Sequence, residues 1–154
     1  MQLSEFLDFD AIKPSLSGGN KRALLQQLAQ FAAGRLQTDA AEILSSVTER
    51  ERLGSTGFGQ GVAIPHGKIE GLTQIYCLFA RLSEPVDYKS IDGQPVDLVF
   101  LLLSPPDAGA EHLKALAAIS RVTRHAPTLE KMRGARSRDA LAAVLMGADE
   151  RDAA

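Results

Sequence analysis

The segment from Gly54 to Lys68 has the residue types and spacing that phosphoryl chemistry needs. Four glycines, Gly54, Gly57, Gly59 and Gly61, lead into a short apolar run that ends at Pro65, and His66 follows at once. Glycines permit positive φ and close backbone approach, so such a loop can direct several N–H groups at one point. Imidazole, with an ordinary pKa of roughly 6.5, is a neutral nucleophile near pH 7. The segment therefore predicts a histidine that accepts a phosphoryl group, with Lys68 close by to offset its negative charge.

The alternative is that His66 is an ordinary loop histidine with no chemical role. Residues 62–64 (Val-Ala-Ile) are typical of a short buried strand, which would place His66 at a strand end. The spacing fits neither a P-loop nor a dinucleotide fingerprint, because Lys68 is followed by Ile69 and the glycines are wrongly spaced. Nucleotide binding of either kind is thus not expected.

The same segment resembles the active-site signature of a known family. Gly54-Ser55-Thr56-Gly57, followed by Gly59-x-Gly61-Val-Ala-Ile-Pro-His66-Gly-Lys68, is similar to the fructose/mannitol-type IIA proteins of the bacterial phosphoenolpyruvate phosphotransferase system (PTS). Within that family the match is to the nitrogen-related branch, and it extends from the Leu3 region to Leu145. The resemblance implies that His66 is phosphorylated, through Nε2, by a histidine-phosphorylated HPr-like carrier. It also implies that residues 54–61 and Lys68 surround the phosphoryl group.

Two further site residues are implied by the resemblance, each with a plainer alternative. Arg50 precedes His66 by 16 residues and could bind phosphoryl oxygens with its planar fork, although it lies in a charge run that could be a solvated helix end. Arg52 is the rival in that run. His112 would lie in the first turn of a helix, where the dipole favours neutral imidazole, or could be a half-exposed helix residue. His125 matches no role in the family, and we expect a surface or helix C-cap position for it.

Gln60 and Phe58 bear on the branch and on docking. Many sugar-specific IIA proteins have an acidic residue where this chain has Gln60, whereas the nitrogen-type branch has an amide, so Gln60 favours regulation over sugar transport. Phe58 lies between two glycines, where no strand or helix is expected to bury it. We therefore expect Phe58 to be exposed and to dock a partner, the alternative being that it folds back onto the core.

Composition limits the remaining possibilities. The 154 residues are 45% apolar, which predicts one domain, with a core over about 3–146 and a frayed tail over 148–154. A net charge of −2 gives no electrostatic case for binding nucleic acid or an anionic membrane. No apolar stretch approaches the ~18 residues of a membrane helix, so a cytoplasmic protein without membrane insertion is expected. A single cysteine and three scattered histidines predict no disulfide and no metal site, and no cofactor is needed.

Apolar periodicity predicts an α/β fold, with helices on both faces of a small mixed sheet. Helices are expected from Lys21 to Leu36 after an Asn20 cap, from Asp39 through Arg50, over 110–124, and from Ser137 to near Gly147. A helical turn is expected over 127–133. Buried strands are expected over 73–82 and 96–103.

Three functions are consistent with these features. The first is a phosphocarrier of the nitrogen-related system, whose phosphorylation state regulates partner proteins such as transporters or kinases. The second is a sugar-specific IIA protein that passes the phosphoryl group to a IIB domain. The third is a binding module that senses an anion without covalent chemistry.

Overall fold

One mixed β-sheet lies between two layers of helices in the computed structural model, which describes the backbone of residues 1–153 and the side chains of residues 1–149. The strands are β1 (Lys13–Leu16), β2 (Gly57–Gly59), β3 (Val62–Ala63), β4 (His66–Lys68), β5 (Tyr76–Val86) and β6 (Val96–Ser104). The helices are α1 (Lys21–Leu36), α2 (Ala40–Arg52), α3 (Gly109–Thr123), α4 (Ala126–Gly134) and α5 (Arg138–Ala153). Short 3-10 turns at Leu3–Glu5 and Phe9–Ala11 precede β1. This architecture confirms the predicted α/β fold with a mixed, doubly covered sheet.

The strands are ordered β1-β5-β6-β3-β2, and β4 also pairs with β6. β5 and β6 form a long antiparallel hairpin, whereas β3 and β4 each run parallel to β6. The short β3 and β4 therefore follow one another along the same edge of β6. Because β6 has neighbours on both edges and helices on both faces, its sequence is almost entirely apolar.

Alternate residues of the central strands enter two separate cores. On β5, Cys77 and Phe79 face α3, α4 and α5, whereas Leu78 and Ala80 face α1 and α2. The same alternation continues along β6, as expected from the two-residue period of a strand. The helices that carry Arg50 and His112, α2 and α3, thus lie on opposite faces of one sheet.

Helix α1 has the predicted bounds, and the Asn20 side chain accepts a hydrogen bond from the Ala23 amide. Asp39 caps α2 in the same way, through the Ala41 amide. Ser137 caps α5, as predicted, through the Ala140 amide.

The sequence patterns missed three short strands and misplaced one helix end. Strands β1, β2 and β4 have four residues or fewer, which is too short for an alternating pattern to be visible. Helix α5 continues past Gly147 to Ala153, so residues 148 and 149 are not frayed. Ala148 is 1% exposed, and the Asp149 carboxylate accepts the Leu3 amide at 3.0 Å. The rest of the predicted tail, Ala154 and the side chains of 150–153, lies outside the described residues.

Among the helices that the structure describes, none combines the length and the apolar character needed to cross a bilayer. The described side chains also contain no group of three metal-ligating residues.

Candidate active site

His66 is the first residue of β4, immediately after Pro65, and only 8% of its surface is exposed. Its Nδ1 lies 2.8 Å from the backbone oxygen of Ile64. A carbonyl oxygen can only accept, so Nδ1 carries the proton and Nε2 carries the free lone pair. Burial lowers the pKa of His66; the hydrogen bond to Ile64 opposes this, the charge of Arg50 lowers the pKa further, and the charge of Glu51 raises it by a smaller amount. The ring is therefore neutral at pH 7, with Nε2 available as the nucleophile.

His112 lies beside His66, in the first part of α3. The two ring centroids are 5.3 Å apart and the rings are tilted by 55°. His112 Nδ1 lies 2.6 Å from the Oγ of Ser104, the last residue of β6 and fully buried. Burial, followed by the charges of His66 and Lys68, lowers the pKa of His112 to about 4. This direction agrees with the predicted neutral state, and its largest cause is burial.

Arg50 and Lys68 supply the positive charge around these two rings. A cavity of about 320 Å³ is lined by Ser46, Arg50, His66, Gly67, Lys68 and His112. The Arg50 guanidinium donates to the Gly54 oxygen at 2.9 Å. The Ser46 hydroxyl donates to the Lys68 oxygen at 3.0 Å and accepts the Lys68 amide at 3.1 Å, which ties α2 to β4. Two neutral imidazoles and two cations around one cavity can hold a phosphoryl group attached to a ring nitrogen.

The protein-family model for the phosphoenolpyruvate-dependent sugar phosphotransferase system, EIIA 2, matches residues 5–147. The chain belongs to this family. A nitrogen regulatory protein of Bradyrhizobium diazoefficiens is 46% identical over 145 residues, which cover 94% of this chain and 95% of that protein. The crystal structure of nitrogen regulatory protein IIA-Ntr from Neisseria meningitidis matches with a TM-score of 0.86 and 34% identity, over 93% of this chain and 98% of that one. IIA mannitol from Escherichia coli shares the fold, with a TM-score of 0.75 and 16% identity over 90% of this chain and 97% of that one.

Arg50 and Arg52, the two rival arginines of this EIIA chain, line different cavities. Arg50 lines the cavity at His66, whereas Arg52 lines a different cleft, of about 640 Å³, between α1 and α2. Residues two positions apart on a helix point about 200° apart, so only one of the two arginines can face the site. Among the residues proposed from the sequence, the structure brings His66, His112, Arg50 and Lys68 together.

The glycine segment is arranged differently from the expected phosphate loop. The amides of Thr56, Gly57 and Gln60 donate to Glu51, Ser55 and Asp92, respectively. These three N–H groups are therefore occupied inside the protein and are not directed at His66, which corrects the expectation for this part of the loop. None of the seven loop residues predicted to surround the phosphoryl group lines the cavity at His66: Gly54, Ser55, Thr56, Gly57, Gly59, Gln60 and Gly61.

Close packing explains two of the glycines between Gly54 and Lys68, Gly57 and Gly67. A Cβ on Gly57 would lie 2.3 Å from the Ser90 Oγ, and one on Gly67 would lie 2.5 Å from the Ser46 Oγ. Gly57 thus allows β2 to pass against the chain near Ser90, and Gly67 allows β4 to lie against α2. Both contacts set the position of the backbone that leads to and from His66.

Phe58 is 48% exposed, as predicted, although it lies in β2, where no strand was expected. It lines a groove of about 450 Å³ with Val62 of β3, with residues of α3, and with Ile64, whose oxygen accepts the hydrogen bond from His66. Gln60 adopts φ +59°, and its backbone oxygen accepts a hydrogen bond from Arg133 at 2.6 Å. His125 is the N-cap residue of α4 and not a C-cap, and its Nδ1 lies 2.7 Å from the Thr128 Oγ1.

Three residues at the site were not found from the sequence: Ser46, Glu51 and Ser104. Ser46 and Ser104 carry no local signal, because each acquires its role from a contact with a distant element. Glu51 was interpreted as part of a solvated charge run, but its side chain is only 6% exposed.

Proposed function

We propose that this chain is a histidine phosphocarrier of the nitrogen-related PTS, which accepts a phosphoryl group on His66 Nε2 from an HPr-like carrier protein. The observation that carries the proposal is the Nδ1–H bond from His66 to the Ile64 oxygen. It leaves the lone pair on Nε2, in a ring that lies beside Arg50, Lys68 and His112.

The transfer itself needs no group other than the two histidines and the charges around them. The Nε2 lone pair of His66 attacks phosphorus while the P–N bond of the donor histidine breaks and its electrons return to the donor ring. The proton of His66 stays on Nδ1, hydrogen-bonded to the Ile64 oxygen, so Nε2 carries no proton that must leave when its bond to phosphorus forms. Arg50 and Lys68 offset the charge on the phosphoryl oxygens, and His112 can donate a hydrogen bond to one of them. Neither a metal ion nor a cofactor takes part.

The regulatory output follows from the charge change at the site. Phosphorylation adds negative charge to a cavity rimmed by Arg50 and Lys68, and this changes the electrostatic character of the face that partners meet. We infer that target proteins, such as transporters or kinases, distinguish the two forms on this face. The similarity to nitrogen regulatory proteins and the neutral Gln60 support this role over sugar transport. The proposed protein acts in the cytoplasm, without binding nucleic acid or inserting into a membrane.

The decisive experiment is reconstitution with phosphoenolpyruvate, the general PTS enzyme and an HPr-like carrier, followed by intact-protein mass spectrometry under basic conditions. We expect one phosphoryl group on the unmodified chain and none on His66→Ala. The matched control is His125→Ala, because His125 lies outside the cavity; this variant should be phosphorylated like the unmodified chain.

Three outcomes would contradict parts of the proposal. Covalent phosphate that persists in His66→Ala would show that another residue is the acceptor. An unmodified chain that binds phosphate only reversibly would favour the anion-sensing module. Efficient onward transfer to a sugar-system IIB domain would favour the sugar-specific role.

A further inference from the structure

The carboxylate of Glu51 is enclosed although it lies at the end of a highly charged helix. Its side chain is 6% exposed and pairs with Lys21 Nζ at 2.9 Å. It accepts the Thr56 amide at 3.2 Å, the Tyr88 hydroxyl at 2.9 Å and the Thr56 hydroxyl. Burial opposes ionisation, but the bonds from Thr56, Lys21 and Tyr88 outweigh it and lower the pKa of Glu51. A buried negative charge is tolerated only when paired in this way.

A continuous series of contacts connects this carboxylate with the His66 ring. The Thr56 amide donates to Glu51, and the Thr56 oxygen accepts the Ile64 amide at 2.9 Å. The Ile64 oxygen then accepts the proton of His66 Nδ1 at 2.8 Å. Since Thr56 and Ile64 are each held on both backbone sides, the carbonyl that orients His66 has little freedom to turn.

The same turn is also fixed to Arg50, the neighbour of Glu51. The Arg50 guanidinium donates to the backbone oxygen of Gly54 at 2.9 Å. The Gly54 amide donates to the backbone oxygen of Glu51 at 3.1 Å. The end of α2 therefore holds the start of the glycine segment at two points, with Glu51 on the buried side and Arg50 on the cavity side.

We propose that Glu51 is a positioning residue of the phosphoryl-acceptor site, whose carboxylate acts through Thr56 and Ile64 to fix the carbonyl that selects the Nδ1–H tautomer of His66. This inference rests on the proposed function only in its consequence for phosphoryl transfer. The effect on the tautomer concerns the unphosphorylated protein alone.

The charge of Glu51 gives a second, independent readout. The charged and titratable groups around His66 are Arg50 and Glu51 from α2, Lys68 from β4 and His112 from α3. The charge of Glu51 raises the pKa of His66, whereas the charge of Arg50 lowers it. Removing the Glu51 charge leaves the cations unopposed, so the pKa of His66 should fall further.

The test compares Glu51→Gln with Glu49→Gln, which makes the same change on an exposed residue of the same helix. Nitrogen-15 correlation spectra of the imidazole rings report the His66 tautomer and its titration, and reconstituted transfer reports the rate. Glu51→Gln should reduce the Nδ1–H population, lower the His66 pKa and slow transfer about 10–100-fold, as expected for loss of precise orientation. Glu49→Gln should change none of these.

Tyr88→Phe keeps the aromatic packing and the Glu51 charge but removes one donor to the carboxylate. It should loosen the tautomer preference without lowering the pKa of His66, and it decides the question if Glu51→Gln does not fold. A Glu51→Gln protein, or failing that a Tyr88→Phe protein, whose His66 tautomer matches that of Glu49→Gln would overturn the inference. If the unmodified chain accepts no phosphate while the tautomer still responds to Glu51→Gln, the proposed function fails and the positioning role stands.

Discussion

Replacing Ser104 with alanine should weaken the site through His112, without touching the acceptor. Ser104 is fully buried, and its Oγ lies 2.6 Å from His112 Nδ1. When the hydroxyl donates, His112 carries its own proton on Nε2, the other ring nitrogen. In that tautomer His112 can donate to a phosphoryl oxygen on His66, whose ring centroid is 5.3 Å away. Ser104→Ala removes this donor, and with it the hydrogen bond that the tautomer makes through Nδ1.

The size of the effect follows from the energy of one hydrogen bond. A neutral hydrogen bond contributes about 1 kcal/mol net, which corresponds to roughly a five-fold change in the tautomer ratio. Transfer should therefore slow only about 3–10-fold in Ser104→Ala, against about 10–1,000-fold in His112→Ala, which removes the donor entirely. The buried Nδ1 left without its partner should also cost about 1–3 kcal/mol of unfolding free energy. For a chain of this length that corresponds to a fall in Tm of roughly 2–12 °C.

The assay is the initial rate of phosphoryl transfer from the HPr-like carrier, measured beside thermal unfolding of the same samples. The matched control is Ser83→Ala, because Ser83 is an exposed serine of the neighbouring strand β5. Its rate and Tm should stay close to those of the unmodified chain. If Ser104→Ala slows transfer as much as His112→Ala, tautomer selection cannot be its role. If it loses stability at an unchanged transfer rate, the bond is structural and His112 needs no help from Ser104.

Four further results are expected. Arg50→Ala should slow transfer about 10–1,000-fold with the fold intact, whereas the neighbouring Arg52→Ala should not, as initial rates will show. Burial lowers the pKa of both site histidines, so the transfer rate should be constant near pH 7–8 and should decline only below pH 6.5, their ordinary pKa. A rate that begins to decline above pH 6.5 would contradict the neutral state of the two rings. Phe58→Ser should weaken donor binding at nearly constant Tm, with Met146→Ser, also exposed, as control; a sharp fall in Tm at unchanged affinity would make Phe58 a core residue. Asp149→Ala should lower the free energy of unfolding by about 1–3 kcal/mol, because the buried Leu3 amide loses its acceptor. An unchanged Tm would show that this hydrogen bond does not contribute to stability.

The sequence predicted the long elements because each carries its own signal. Asn20 and Asp39 cap their helices locally, and residues 98–103 of β6 form one uninterrupted apolar run. Strands β1, β2 and β4 were missed because three or four residues carry no readable period, and because β2 and β4 consist partly of glycine. The end of α5 was misplaced at Gly147, since the reason to continue the helix is the distant contact of Asp149 with Leu3.

At the site, the long signature drew attention to the correct segment but not to what each residue in it does. The glycines suggested N–H groups aimed at an anion, whereas the amides of Thr56, Gly57 and Gln60 are used to shape the turn. Arg50 and Glu51 looked alike in a charge run, yet one lines the cavity and the other is enclosed on the opposite side. Helical phase alone could not assign these sides, because the direction of the core at the end of α2 depends on Tyr88 and Lys21. That His66 is the acceptor stays a prediction.

The position of both histidines depends on a single strand end. His66 pairs with Leu102 of β6 through the parallel β4, and Ser104, two residues beyond Leu102, holds His112. Residues two apart share a face of a strand, so Ser104 points to the same side as Leu102, which packs into the core beneath α3. A shift of β6 by one residue would turn Ser104 toward α1 and α2 and would bring Leu103 under His112. The strand pairing that holds β6 in register with β4 therefore also sets the distance between the two rings.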